Sequence, residues 1–206
     1  VDPLFEHILP LVPGITGKLE KGIEVLDVGC GRGRALMAMA EAFPQSRFTG
    51  YELSDEAVQW ANTQATDRGL KNILFEQRDL ATFHQDSPKD AFDFITAFDA
   101  IHDQARPDHV LAGIHRALKP GAVFLMQDIA GSSNVAEDRN HPIGTLLYTI
   151  SCSHCMTVSL AQNGLGVGAM WGEKLTRQFL ADAGFQNVEC HKLEHDIQNN
   201  YYLTQK

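Results

Sequence analysis

The chain has 206 residues, 44% apolar and 21% charged, a length and balance that predict one globular domain over residues 1–206 with a substantial core. Seventeen Lys and Arg against 26 Asp and Glu leave a net charge of −9, which argues against a surface built to hold a phosphate backbone. No apolar run approaches the roughly 18 residues of a membrane span, and the first residues carry no signal-like pattern. We therefore expect no nucleic-acid partner, no membrane partner and a cytoplasmic location. The chain opens on Val1 rather than Met, so a further domain upstream is also expected.

Residues 23–28 read as a first buried strand and residues 35–43 as a helix apolar on nearly every side. A second strand is expected over 47–53. Ser54 then opens a helix over 57–68, with Gly69 as its stop. The third strand is placed at 73–77 and the fourth at 92–98, the latter apolar enough to be covered on both faces. A helix over 107–118, a turn at 119–121 and a fifth strand over 122–129 complete a strand–helix alternation that predicts a parallel α/β sheet.

From residue 130 to 172 the alternation fails, with a single helical segment near 143–150 and a glycine-rich run at 163–168. Excursions of that length in a compact domain usually cover a binding site, so residues 130–172 are expected to form a substrate lid. A helix over 173–183 follows, and two strand-like runs at 187–193 and 201–204 predict an edge hairpin, giving seven strands.

Four cysteines, Cys30, Cys152, Cys155 and Cys190, are too few for a disulfide framework and fit a reducing compartment. Cys152 and Cys155 form a CxxC around His154, yet no second pair in the sequence completes a zinc set, and no metal is expected.

The chemistry gathers at the strand ends. Gly29, Gly31 and Gly33 follow the first strand, where a backbone without side chains can approach a ligand. A dinucleotide fingerprint needs a small residue where Arg34 stands, which disfavours an NAD-linked oxidoreductase, and no Gly-Lys-Ser/Thr phosphate loop is present.

The pattern Asp27-x-Gly29-x-Gly31-x-Gly33 resembles the first motif of the class I S-adenosylmethionine-dependent methyltransferases, and the resemblance continues in order over roughly residues 23–130. Glu52, followed by Leu53, is similar to the second-strand acid that binds the ribose hydroxyls. Asp79-Leu80 looks like the pair that reads the adenine by a carboxylate and a backbone amide. The resemblance implies a seven-stranded Rossmann-like α/β fold, a mostly parallel sheet with an antiparallel strand inserted by the C-terminal hairpin. It also implies S-adenosylmethionine as cofactor and S-adenosylhomocysteine as product. Cofactor contacts would come from Asp27, Gly29, Cys30, Gly31 and Gly33, then Glu52, Leu53, Asp79, Leu80 and Phe98.

The acceptor is narrowed by what the sequence lacks: the Pro-Pro-aromatic motif of exocyclic-amine enzymes, the cysteine dipeptides of cytosine C5 enzymes, and the paired-Glu hairpin of protein arginine enzymes. That leaves a small molecule, consistent with the acidic balance. His102-Asp103 is similar to the His-Asp pair of plant-type and bacterial small-molecule O-methyltransferases, although Gln104 stands where Trp normally follows. In those enzymes the His is a general base steadied by an acid past strand five, here Asp128, and an N-terminal winged-helix domain makes homodimers. A His base would tie the rate to an ionisation in the ordinary imidazole range; proximity alone is the competing mechanism. Ile101, Tyr148, His154, Met156 and Trp171 are the expected acceptor-binding side chains and point to an aromatic or hydrophobic compound, whose hydroxyl would be the methylated group as the O-methyltransferase resemblance implies. A module that binds the cofactor without catalysing transfer is the alternative.

Overall fold

The computed structural model describes residues 3–206. Its seven strands are β1 (Glu24–Val28), β2 (Arg47–Glu52), β3 (Ile73–Gln77), β4 (Phe92–Phe98), β5 (Leu118–Ile129), β6 (Gln186–His191) and β7 (Asn199–Gln205). They lie in one sheet in the order β3-β2-β1-β4-β5-β7-β6. β1 to β5 are parallel, and β7 enters between β5 and β6 antiparallel to both. This is the Rossmann-like arrangement expected from the sequence.

Alternation along the strands divides the core into two layers. On one face Val25, Phe94 and Leu125 pack with Leu36 and Met39 of α2 (Arg34–Ala42) and with Val58 and Ala61 of α3 (Asp55–Asp67). On the other, Leu26, Val28, Ile95 and Phe124 meet Val110 and Ile114 of α5 (Pro107–Ala117) and Leu180 of α8 (Gly172–Asp182). A sheet covered on both faces needs near-continuous apolar strands, which is why β1 and β4 were plain in the sequence. Ser54 caps α3 by accepting from the Ala57 amide at 3.3 Å.

Several elements went unseen. Residues 1–22 had no assignment, yet helical turns at Leu4–Ile8 and Leu9–Leu11 and α1 (Ile15–Lys21) complete the first layer with Leu4, Leu9, Ile15 and Leu19. Pro3, Pro10 and Pro13 cut this stretch into pieces too short to display a period. The one-turn α4 (Phe83–Asp86) was missed for the same reason of length. The segment 119–121, expected as a turn before β5, lies inside that strand as a register jump: Phe92 faces Leu118 while Phe94 faces Val123. Between β5 and α8 there are two α-helices rather than one, α6 (Gly144–Ser153) and α7 (Cys155–Ala161), broken at His154.

Strand order reverses between β1 and β4, whose neighbours lead away in opposite directions. Loops leaving their carboxyl ends diverge and open a crevice, the usual ligand position in such sheets. Among the described residues no helix is long and apolar enough to cross a membrane.

Candidate functional site

The loop after β1 forms one wall of that crevice. The Gly29 and Cys30 amides both donate to the Tyr51 carbonyl, at 2.9 and 3.1 Å, fixing the loop against β2. Gly33 has φ 66° and a Cβ there would lie 2.2 Å from the Phe75 ring, so only glycine lets the loop turn into α2 over that side chain. Gly31 is the opposite case, since a Cβ on it meets nothing within 4 Å and its outer side is open. Arg34 is exposed at the first position of α2, outside the crevice.

Glu52, at the end of β2, ties two walls together. One carboxylate oxygen accepts from the Gly31 amide and the other from the Ser54 amide, both at 2.9 Å. Each oxygen retains a lone pair for a ligand hydroxyl. Asp79, past β3, accepts from the Ala81 amide at 2.9 Å through Oδ1, leaving Oδ2 without a protein donor among the described residues. Gly29, Glu52, Leu53, Asp79 and Leu80 line one cleft of about 450 Å³, together with Asp99, Asp103 and Gln104 beyond β4.

Asp27, Cys30, Gly31, Gly33 and Phe98, also expected to touch the cofactor, do not line that cleft. Asp27 is 3% exposed and its Oδ1 accepts from the Thr96 hydroxyl at 2.8 Å. Burial, opposed by that bond and reinforced by the Glu52 charge, pushes its pKa up to about 7. Burial likewise raises the Cys30 thiol, which packs over Gly50. Phe98 packs into the first core layer.

His102 and Asp128, far apart in sequence, meet inside the protein. His102 is 3% exposed, Asp128 is fully buried, and Nδ1 lies 2.6 Å from Asp128 Oδ1. That oxygen also accepts from the Ile129 amide at 2.8 Å and from the Trp171 indole N–H at 3.1 Å. His102 Nε2 faces Asp103 Oδ1 at 3.2 Å rather than the open cleft. Burial alone would lower the imidazole pKa, but the Asp128 and Asp103 carboxylates drive it far above its ordinary range. The ring is enclosed between two carboxylates, a setting different from that of a free imidazole.

The five expected acceptor residues do not converge. Only His154 lines the cleft, beside Val158 and Gln162 of α7 and its end. Tyr148 lines a separate hollow with Arg139 and Cys152, its hydroxyl donating to Asp138 at 2.7 Å. Met156 packs at Gly168, and Ile101 and Trp171 are core residues at 0% and 1% exposure. Trp171 is thus a donor to Asp128, not a pocket wall; its length of apolar surface gave no hint of that buried partner. Asp99 and Gln104 were missed, although the rule that ligands gather at strand carboxyl ends could have found Asp99. The α7 end is held over the cleft by Ser159 donating to the Gln104 carbonyl at 3.2 Å and by the Leu165 amide donating to the Ala105 carbonyl at 2.9 Å.

A glycine loop and two strand-end acids stand around one crevice, and residues 19–179 match the family model described as a methyltransferase domain. The chain belongs to that family. It is 27% identical over 117 residues to a fatty-acid O-methyltransferase of Mycolicibacterium smegmatis, covering 57% of this chain and 41% of that one. It is 24% identical over 183 residues to a malonyl-[acyl-carrier protein] O-methyltransferase of Paenibacillus sp., covering 88% and 60%. The chain thus spans about half the length of these curated relatives. The fold is shared with a SAM-dependent methyltransferase from Aquifex aeolicus at TM-score 0.67 and 20% identity, over 98% of this chain and 93% of that one.

Two outcomes follow from the loop and its buried acid. Because folding raises the Asp27 pKa, the folded state holds its proton more tightly than the unfolded one. Stability should then be greatest below about pH 4 for this group and fall as pH rises toward about 7, by a few kcal/mol in all. Asp27→Asn should flatten that slope in urea titrations run from pH 5 to 8; an unchanged slope would remove Asp27 from the account. Gly33→Ala should cost roughly 1–3 kcal/mol by overpacking against Phe75, read as a lower urea midpoint.

Proposed function

We propose that this chain is the catalytic part of an S-adenosylmethionine-dependent methyltransferase acting on a hydroxyl of a small aromatic or hydrophobic acceptor. The observation that carries the reading is the convergence of Gly29, Glu52 and Asp79 on one cleft, with Gly31 tied to it through its amide bond to Glu52. Fit is favourable in each part. The open side of Gly31 gives a ligand room against bare backbone, the Glu52 oxygens accept from two ribose hydroxyls, and Asp79 Oδ2 accepts from the adenine amino group. Bound there, S-adenosylmethionine supplies a methyl carbon on a sulfonium, open to in-line displacement.

The chain's own work is alignment and exclusion of water. Residues 130–172 serve as the lid, with α7 fastened over the cleft through Gln104 and Ala105. Exposed Leu146, Ile150, Val158, Leu160 and Leu165 give that segment the apolar surface a hydrophobic acceptor requires. Relatives named for O-methylation of a fatty acid and of a malonyl-carrier protein support oxygen as the atom methylated. Proximity supplies the rate in this reading, since an imidazole enclosed by Asp128 and Asp103 is not free to take the acceptor's proton. Four cysteines without disulfides support a reducing, cytoplasmic setting.

Glu52→Ala should weaken S-adenosylhomocysteine binding about 30-fold, roughly 2 kcal/mol, because bonds to a charged acceptor exceed neutral ones. Arg34→Ala, outside the cleft, should leave affinity within about threefold. Calorimetry on both variants tests the placement, and an unchanged Glu52→Ala affinity would put the nucleoside elsewhere. Transfer of labelled methyl to a panel of phenols and fatty acids tests the reaction. Binding of S-adenosylhomocysteine with no turnover on any acceptor would favour the non-catalytic module.

A further inference from the structure

The CxxC at Cys152 and Cys155 lacked partners in the sequence, but the fold supplies two. Buried Cys155 at the start of α7 lies beside His102 and Asp103 from the loop after β4, and one donor atom from each of the three falls within 4.8 Å of the others. We propose that His102 Nε2, Asp103 Oδ1 and Cys155 Sγ form a binding site for a divalent cation of the zinc type.

The surroundings are those of a metal ligand rather than of a simple polar pair. Asp128 takes the Nδ1 side of the imidazole at 2.6 Å, and is itself held by the Trp171 indole and the Ile129 amide. A carboxylate behind a ligating His in this way fixes the tautomer and directs Nε2 outward. What Nε2 meets is Asp103 Oδ1, 3.2 Å away, closed to solvent and without a well-aligned hydrogen-bond donor among the described residues. A neutral imidazole and a carboxylate would leave two acceptor atoms facing each other at that distance, so a positive charge belongs between them. A proton can serve, but a cation also engages the adjacent sulfur and satisfies all three donors.

Nitrogen, oxygen and sulfur together suit Zn²⁺ or Co²⁺, whose bonds of about 2.0–2.3 Å set tetrahedral donor separations of roughly 3.3–3.8 Å, so donors within 4.8 Å of one another need shift by no more than about an ångström. Three protein ligands leave a tetrahedral position, the mark of a reactive rather than structural site. Asp103 also lines the proposed cofactor cleft, so the site borders the space where an acceptor would stand. Its use in methyl transfer rests on the reading above; its existence does not.

Cobalt(II) titration of chelator-treated protein tests the assignment. One Co²⁺ per chain is expected, with visible bands of a tetrahedral centre and a thiolate charge-transfer band, both removed by excess Zn²⁺. Cys155→Ser should abolish the charge-transfer band, and Cys152→Ser, changing an exposed residue, should leave it intact. Asp103→Asn, a substitution at a part-exposed side chain that leaves the core closed, should weaken Co²⁺ at least 10-fold. Failure to bind Co²⁺ stoichiometrically, a spectrum indifferent to Cys155→Ser, or one lost in Cys152→Ser would overturn the site. Calorimetry with S-adenosylhomocysteine on the same chelator-treated sample separates the two readings, since retained nucleoside binding without cobalt binding refutes the metal site alone.

Discussion

The buried carboxylate of Asp128 is the contact on which the interior of the site depends. A carboxylate removed from water is costly unless its oxygens are hydrogen-bonded, and here the donors come from three parts of the chain. The Ile129 amide belongs to β5 itself, the imidazole and amide of His102 come from the loop after β4, and the indole of Trp171 comes from the far end of the excursion after β5. One side chain thereby fastens the segment over the cleft to the sheet beneath it.

Glu52 plays a corresponding part at the surface of the same crevice. By accepting from Gly31 and Ser54 it joins the loop after β1 to the start of α3, so the two walls are set before any ligand arrives. Preorganisation of this kind lowers the cost of ordering on binding. The reversal of strand order between β1 and β4 then leaves the space that Glu52, Asp79 and Asp103 surround.

Much of this frame was legible in the sequence because its causes are local. Doubly covered strands demand continuous apolar runs, and glycines at the first turn answer to backbone geometry that no other residue meets. The pairing of His102 with Asp128 came from the family resemblance, and the structure places them in contact. Illegible features were those whose partners are distant in sequence. Trp171 and Ile101 looked like pocket walls because apolar bulk alone does not distinguish a pocket from a core. Cys155 looked isolated because its neighbours His102 and Asp103 reach it only through the fold, and α7 escaped notice because a short helix containing Thr157 and Val158 has little helical character of its own.

The central claim is that one crevice, between the ends of β1 and β4, holds the nucleoside. Hydrogen–deuterium exchange of the whole chain with and without S-adenosylhomocysteine tests it directly. Slowed exchange is expected together at residues 29–33, 52–54, 78–81 and 99–105, with the α7 region following as it closes over them. Protection confined to other strands, or none at saturating ligand, would contradict the account.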